Sequence, residues 1–320
     1  MNPTQASAFT TAFRTMMEAI GTVLLGRPEV IRLVLTALFA RGHVLLDDAP
    51  GTGKTQLAKA VAALIAGDHN RIQFTPDLLP SDLLGVNTYD QRTGRFEFHH
   101  GPVFCNVLLA DEINRASPKT QSALLQVMEE GLVTVDGKTR PVPPPYLVVA
   151  TQNHFEQIGV YHLPEAQLDR FLIKTSIGYP GHEAGLEILE QSADMDRSSR
   201  LSAMVSTTQI EQMADMAADV AVDRSVLDYV LRLCETTRQD RRLAVGVSVR
   251  GAIALVRAAK VWALSAGRPY VTPDDVKVLV GPVLGHRVIL SQEESFADIS
   301  SEQVLEDILG RTAPPSDRGM

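Results

Sequence analysis

A single segment restricts this 320-residue chain more than any other. Asp48-Ala49-Pro50-Gly51-Thr52-Gly53-Lys54-Thr55 follows a short apolar run, His43 to Asp47. It leads into Lys54 to Ala66, where alanine and leucine recur at helical spacing until Gly67. An apolar run that ends in a glycine-rich turn reads as a buried strand. Strand, glycine turn and helix N-terminus form the context that a phosphate-binding loop needs. Glycines let backbone N–H groups close around phosphate oxygens, and the helix dipole favours the anion. In such a loop Lys54 offsets the charge of the outer phosphates and Thr55 offers a hydroxyl to Mg2+. The strict pattern has glycine where this chain has Asp48.

Val107-Leu108-Leu109-Ala110-Asp111-Glu112 is a second apolar strand, and it ends in adjacent carboxylates. An Asp at such a strand end is placed to hold Mg2+, and the Glu beside it to orient and deprotonate an attacking water. Alone, a strand ending in Asp-Glu is a common solvated strand end. Following the glycine loop in this order, it points to nucleoside triphosphate chemistry. Ile72 to Phe74, Tyr146 to Ala150 and Phe171 to Ile173 read as further strands. Strands alternating with helices predict an α/β fold with a parallel, doubly wound sheet covered on both faces.

Around this frame, Ala6 to Phe39 reads as two amphipathic helices broken at Gly26-Arg27-Pro28. Two hairpins interrupt the alternation: Thr88–Asp90 with Arg95–Phe98 around Thr93-Gly94, and Leu132–Val135 with Lys138–Arg140 around Asp136-Gly137. Beyond the Gly/Pro hinge Ile177–Gly181 almost everything reads as helix: His182–Asp194, Thr208–Ala218, Ser225–Thr236, Val249–Ala266 and Pro273–Val280. The last has Thr272 as cap, Pro273 in its first turn and Asp275 three residues after the cap. The expected organisation is an N-terminal helical segment (1–25), a nucleotide-binding core (26–180), an all-helical lid domain (181–310) and a flexible tail (311–320).

A net charge of −8 repels phosphate backbones, so nucleic acid is not an expected partner. Charges interrupt every apolar stretch before membrane-spanning length, as Arg32 does in Val30–Ala40, so membrane insertion is not expected. Met1 to Thr11 is polar and small, unlike a secretory signal, and a cytoplasmic location is expected. Cys105 and Cys234 lie far apart and read as buried free thiols. His99-His100 has no third ligand nearby and reads as an exposed turn rather than a metal site.

Longer motifs make a resemblance specific. Ile72 to Asp82, Asp111-Glu112-Ile113-Asn114-Arg115-Ala116 with Pro118-Lys119-Thr120-Gln121, Thr151-Gln152-Asn153, and Leu163 to Phe171 resemble the MoxR family of AAA+ ATPases. The likeness runs from about Gly26 to Arg287, and that family also carries Asp at the position of Asp48. It departs at Val249, His154 and His162, where the family usually has proline. The resemblance implies an AAA+ P-loop core with inserted β-hairpins (Val86–Val103 and Leu132–Val142) and a helical lid; Trp262, in an amphipathic helix, reads as a core residue of that lid. It implies ATP and Mg2+ as cofactors. Gly26 and the segment Pro50, Gly51, Thr52, Gly53, Lys54, Thr55, Gln56 would bind the nucleotide, Thr55 and Asp111 the metal. Glu112 would be the catalytic base, Asn153 the sensor 1 residue, Arg170 an arginine finger acting in trans and Arg250 the sensor 2 contact. Arg115 either faces a neighbour as well or forms a structural salt bridge.

The function implied is ATP hydrolysis in a homo-oligomeric ring, expected to be a hexamer. Its work would be chaperone-like remodelling or maturation of a protein client, with a von Willebrand factor A domain protein as the expected partner. A magnesium-chelatase-like ATPase subunit shares both hairpins and stands as an alternative. So does a nucleotide-gated scaffold with little turnover, although such a scaffold would not need Glu112.

Overall fold

The computed structural model describes residues 3–48, 51–152, 160–190, 197–296 and 299–315. By its contacts the chain divides into two compact units, one of residues 16–171 and 175–211, the other of residues 1–15, 172–174 and 212–320.

Met16 and Ile20, at the end of α1 (Pro3–Gly21), are fully buried in the first of these units. The break at Gly26 has a positive φ of 70°, and Pro28 opens α2 (Pro28–Phe39). From Val30 onward α2 is buried on nearly every side, the pattern of a core helix rather than a surface one. Next come β1 (Val44–Asp47), α3 (Lys54–Leu64), β2 (His69–Gln73) and the short α4 (Pro80–Leu84). A hairpin follows, β3 (Gly85–Asp90) with β4 (Arg95–His100), and then β5 (Val107–Asp111) and α5 (Pro118–Glu130). A second hairpin, β6 (Leu132–Val135) with β7 (Lys138–Pro141), precedes β8 (Leu147–Gln152), α6 (Glu165–Leu168), β9 (Ile173–Thr175) and α7 (His182–Glu190).

The main sheet has the order β2-β5-β8-β1-β9. Its inner pairs are parallel, with Leu45 opposite Ala150, Leu109 opposite Val149 and Gln73 opposite Asp111. Leu108, Ala110, Val148 and Ala150 alternate along β5 and β8 onto one face, where they join Leu124, Leu125 and Met128 of α5 in a continuous core. The α/β reading of the sequence therefore holds, with two local shifts. Phe171 and Leu172 are buried ahead of β9 rather than within it, so their apolar character reports burial and not ladder pairing. β2 starts at His69 and alternates between exposed and half-buried residues, as suits a strand with a neighbour on one side only.

Both hairpins form where the turn residues place them. Asp136 (φ 49°) and Gly137 (φ 73°) supply the paired left-handed conformations of the tightest hairpin turn. At the base of the first hairpin the backbones cross so closely that a Cβ on Gly101 would come within 2.1 Å of the Leu83 carbonyl oxygen. The hairpins also touch. Asn87 Nδ2 donates to Asp136 Oδ2 at 2.6 Å, and the Arg140 guanidinium lies 3.8 Å from the centre of the Phe98 ring. His100 packs on Phe104 with ring centres 4.2 Å apart, so it serves an aromatic cluster.

The second unit is mainly helical: α8 (Thr207–Ala218), α9 (Arg224–Gln239), β10 (Leu243–Val245), α10 (Val249–Ser265), α11 (Pro273–Leu284), β11 (Ile289–Leu290), α12 (Gln292–Phe296) and α13 (Ser301–Arg311). The antiparallel pair β10–β11 is too short to leave a periodic signal in the sequence. Trp262 is buried within α10, and Cys105 and Cys234 are buried free thiols. Burial pushes the Cys105 thiol up to about 12 and that of Cys234 to about 11. No helix among the described residues is long and apolar enough to cross a membrane.

One ion pair locks the start of α11. Asp275, only 3% exposed, accepts from Arg268 Nη1 and Nη2 at 2.5 Å each, and from the Thr272 N–H and hydroxyl at 2.8 Å each. Burial alone would raise its pKa, but these donors hold the carboxylate below its ordinary value. Its contribution to stability is therefore complete above the unfolded-state pKa, near ~3.9, and is lost as pH falls through the lower folded-state pKa. Asp275→Asn is expected to cost about 2 kcal/mol at pH 7. Urea titrations of both proteins should show that difference shrinking below pH ~4; a gap independent of pH would count against the ion pair.

Candidate phosphate-binding site

The turn after β1 is built from the backbone. Gly51 (φ 82°) and Gly53 (φ 95°) occupy left-handed conformations, and Gly53 is the residue that caps α3. A Cβ on Gly53 would also press to 3.1 Å of Leu24 Cδ1. Lys54 and Thr55 form the first turn of α3, Gln56 follows on the same helix, and Lys54 Nζ donates to the Asp48 carbonyl at 3.0 Å. Pro50 lies outside the described residues.

Asp48 is buried, and its carboxylate is engaged by the stretch after β9. Oδ1 accepts from Ser176 Oγ and the Gly178 N–H, both at 2.9 Å, and Oδ2 accepts from the Ile177 N–H at 2.6 Å. Gly51, Thr52, Gly53 and Gln56 line a cavity of about 360 Å³ together with Leu24, Arg27, Ile177, Gly178, Leu189 and Arg197. Gly26 lies between two residues of its lining, Leu25 and Arg27, and a Cβ there would come within 2.9 Å of Ala184 Cβ. The buried Nε of Arg27 has no hydrogen-bond partner among the described residues.

The carboxylates sit at the end of β5. Asp111 is buried and accepts from Arg71 Nε at 2.7 Å and from the Thr151 hydroxyl at 3.3 Å. Glu112 adopts the left-handed conformation (φ 55°), which costs a non-glycine residue about 1–2 kcal/mol. Its N–H donates to Thr151 Oγ1 at 2.9 Å, and its Oε2 accepts from Gln73 Nε2 at 2.7 Å and Arg115 Nη1 at 3.1 Å. Thr151 stands opposite Leu46 in the β1–β8 register, so one hydroxyl ties the Asp111 carboxylate and the Glu112 backbone to the strand beside the glycine loop. Asp111 and Thr55 offer one carboxylate and one hydroxyl. That all-oxygen set is too small to cage a metal alone but suits Mg2+ shared with substrate phosphates. Among the described residues no three His, Cys, Asp or Glu side chains group as metal ligands.

Behind the carboxylates, Gln121 is fully buried and its Nε2 donates to the carbonyls of Ile113, Ala116 and Tyr161 at 3.2, 3.2 and 3.0 Å. Thr120 Oγ1 donates to the Leu78 carbonyl at 2.7 Å. These bonds hold the turn after Glu112 against two other loops. Arg170 pairs with Glu129 of α5, Nε to Oε2 at 2.7 Å. Asn153 and His154, just past the end of β8, lie outside the described residues. Arg250 is exposed in the first turn of α10, which Ser248 caps through the Gly251 N–H at 3.2 Å, and it belongs to the second unit.

The structure thus brings Gly51 to Gln56, Asp111 and Glu112 to one end of the sheet. Sequence reasoning missed the partners Arg71, Gln73 and Thr151. Arg71 and Gln73 are two apart on β2 and share a face, a period-2 signal that a strand beginning at Ile72 concealed.

Known proteins align along most of this chain. The model of the ATPase family associated with various cellular activities (AAA) matches residues 43–173, and that of the AAA lid domain matches residues 235–308. A protein named YeaC from Bacillus subtilis is 44% identical over 302 residues, 94% of either chain. Chaperone MoxR1 of Mycobacterium tuberculosis is 40% identical, covering 92% of this chain and 80% of that one. Protein MoxR of Paracoccus denitrificans is 34% identical, covering 87% and 89%. A solved structure from Cytophaga hutchinsonii superposes with a TM-score of 0.91 at 36% identity, over 98% of this chain and 97% of the other.

Thr151→Val keeps shape but leaves the Glu112 N–H without its acceptor. It is expected to destabilise the fold by about 1–3 kcal/mol, read as a lower urea midpoint. Unchanged stability would show that the hydroxyl does not hold the two strands' ends together.

Proposed function

Because the chain belongs to the MoxR family of AAA+ ATPases, we propose that it hydrolyses ATP in a homo-oligomeric ring and drives chaperone-like remodelling of partner proteins. The observation that carries the reading is the Thr151 hydroxyl, which fixes Asp111 and Glu112 beside the strand that leads into the glycine loop.

The N–H groups around Gly51 to Thr55 and the Lys54 ammonium receive the phosphate oxygens. Thr55 and Asp111 would hold Mg2+, which neutralises charge developing on the transferring phosphoryl group. In this proposal Asp111 turns from Arg71, and the Glu112 carboxylate, whose Oε2 accepts from Gln73 and Arg115, takes a proton from water. Asn153 and Arg250 complete the site in this proposal as the sensor residues. Arg170 acts in trans, where an arginine supplied by a neighbour is worth ~10³–10⁵ in rate. The ring is proposed to be a hexamer working in the cytoplasm. Its client is a protein, with a von Willebrand factor A domain protein as the proposed partner. The Tyr89 and Phe96 side chains, 56% and 72% exposed with ring centres 5.3 Å apart, give the first hairpin an apolar tip suited to such a contact. The hold of Gln73 and Arg115 on Glu112 favours one other reading, a nucleotide-gated scaffold with little turnover.

Turnover measurements separate the two. Lys54→Ala is expected to lose nucleotide binding, and Glu112→Gln to bind ATP while hydrolysing it ~10²–10⁴-fold more slowly. Wild-type protein that binds ATP but does not turn it over when assembled would favour the scaffold.

The trans arrangement has its own test. Arg170→Ala and Lys54→Ala, each inactive alone, should regain partial activity when mixed, since some interfaces then join an intact loop to an intact arginine. Mixed rings that stay inactive, or full activity of Arg170→Ala alone, would remove Arg170 from the site.

A further inference from the structure

Where the strict phosphate-loop pattern has glycine, this chain buries a carboxylate. Asp48 is 6% exposed, and three donors from 176–178 converge on its two oxygens: Ser176 Oγ and the Gly178 N–H on Oδ1, the Ile177 N–H on Oδ2. Bonds to an ionised acceptor are roughly twice as strong as neutral ones, so this is a firm attachment. The same residue holds the loop's own cation, because Lys54 Nζ donates to the Asp48 carbonyl at 3.0 Å.

The attachment joins two stretches of chain that line one cavity. Gly51, Thr52 and Gly53 belong to one, and Ile177 and Gly178 to the other. The donors on Asp48 are the backbone N–H groups of those last two residues. Gly178 adopts a positive φ of 65°, a conformation open to glycine without strain. A glycine at position 48 would leave the buried Ile177 N–H and the half-buried Gly178 N–H without this acceptor, and the stretch that carries them free to shift.

We propose that Asp48 is a positioning residue that sets the width of the nucleoside part of the cavity, acting through Ser176, Ile177 and Gly178. Phosphate binding depends on the glycine loop and Lys54, whereas grip on the nucleoside depends on the Asp48 clamp. The inference rests on the nucleotide-site reading above, and the test separates the two.

Binding of ADP and of inorganic tripolyphosphate, both with Mg2+, is measured by calorimetry on the full chain and its variants. Asp48→Gly is expected to weaken ADP by ~10-fold or more, the scale of a lost charge-assisted hydrogen bond, and tripolyphosphate by less than ~2-fold. Asp48→Asn keeps one acceptor oxygen but turns an NH2 group toward a donor, so its ADP affinity should fall between glycine and wild type. Ser176→Ala removes a single donor at the rim of the clamp and keeps the test open if Asp48→Gly does not fold; it too should weaken ADP selectively. ADP and tripolyphosphate affinities that fall together, or an unchanged ratio across the variants, would overturn the clamp. Wild-type protein that binds neither ligand would instead overturn the nucleotide-site reading itself.

Discussion

Parallel strands in one sheet all end on the same rim, and the chemistry of this chain is confined by that geometry. β1, β8 and β5 are buried along their length and paired in parallel, so the residues that follow them emerge side by side. Each buried leucine or valine contributes about 1.5–3 kcal/mol to holding that register. A slip of one residue would turn every side chain to the opposite face and carry the Thr151 hydroxyl away from the Asp111 carboxylate and the Glu112 N–H that it joins.

The polar groups near the rim mend what the turns leave open. Glu112 is held in a left-handed conformation that its own side chain does not favour, and Thr151 and Arg115 supply bonds around it. At the opposite end of the sheet His43 accepts the Val148 N–H on Nδ1, which leaves Nε2 to donate to the Met128 carbonyl and fixes one neutral tautomer. Asn106 similarly donates to the carbonyls of Pro143, Pro144 and Pro145 while accepting the Asp68 N–H. Loops that lack a ladder are tied down by single side chains able to make several bonds.

Much of this was legible in the residues, and the exceptions have physical causes. The glycine loop, the strand ending in Asp111-Glu112 and the Asp136-Gly137 turn announce themselves because backbone geometry restricts which residues fit. The run from Asp111 to Gln121 reads as a long motif because chemistry and scaffold share it: the carboxylates face the rim, while the Gln121 amide NH2 is spent on backbone carbonyls. Asp48 was legible as a departure from the strict pattern but not as a clamp, since its partners lie 128–130 residues further along the chain. Arg71 was hidden for a related reason. Pairing across neighbouring strands depends on register, and register is set by tertiary packing.

The most direct test of the site is a crystal structure with Mg2+ and a non-hydrolysable ATP analogue. The expected result places the triphosphate on the N–H groups of Gly51 to Thr55, with Asp111 released from Arg71 and directed to the metal. A triphosphate bound elsewhere, or Asp111 still paired with Arg71 beside a bound nucleotide and metal, would contradict it.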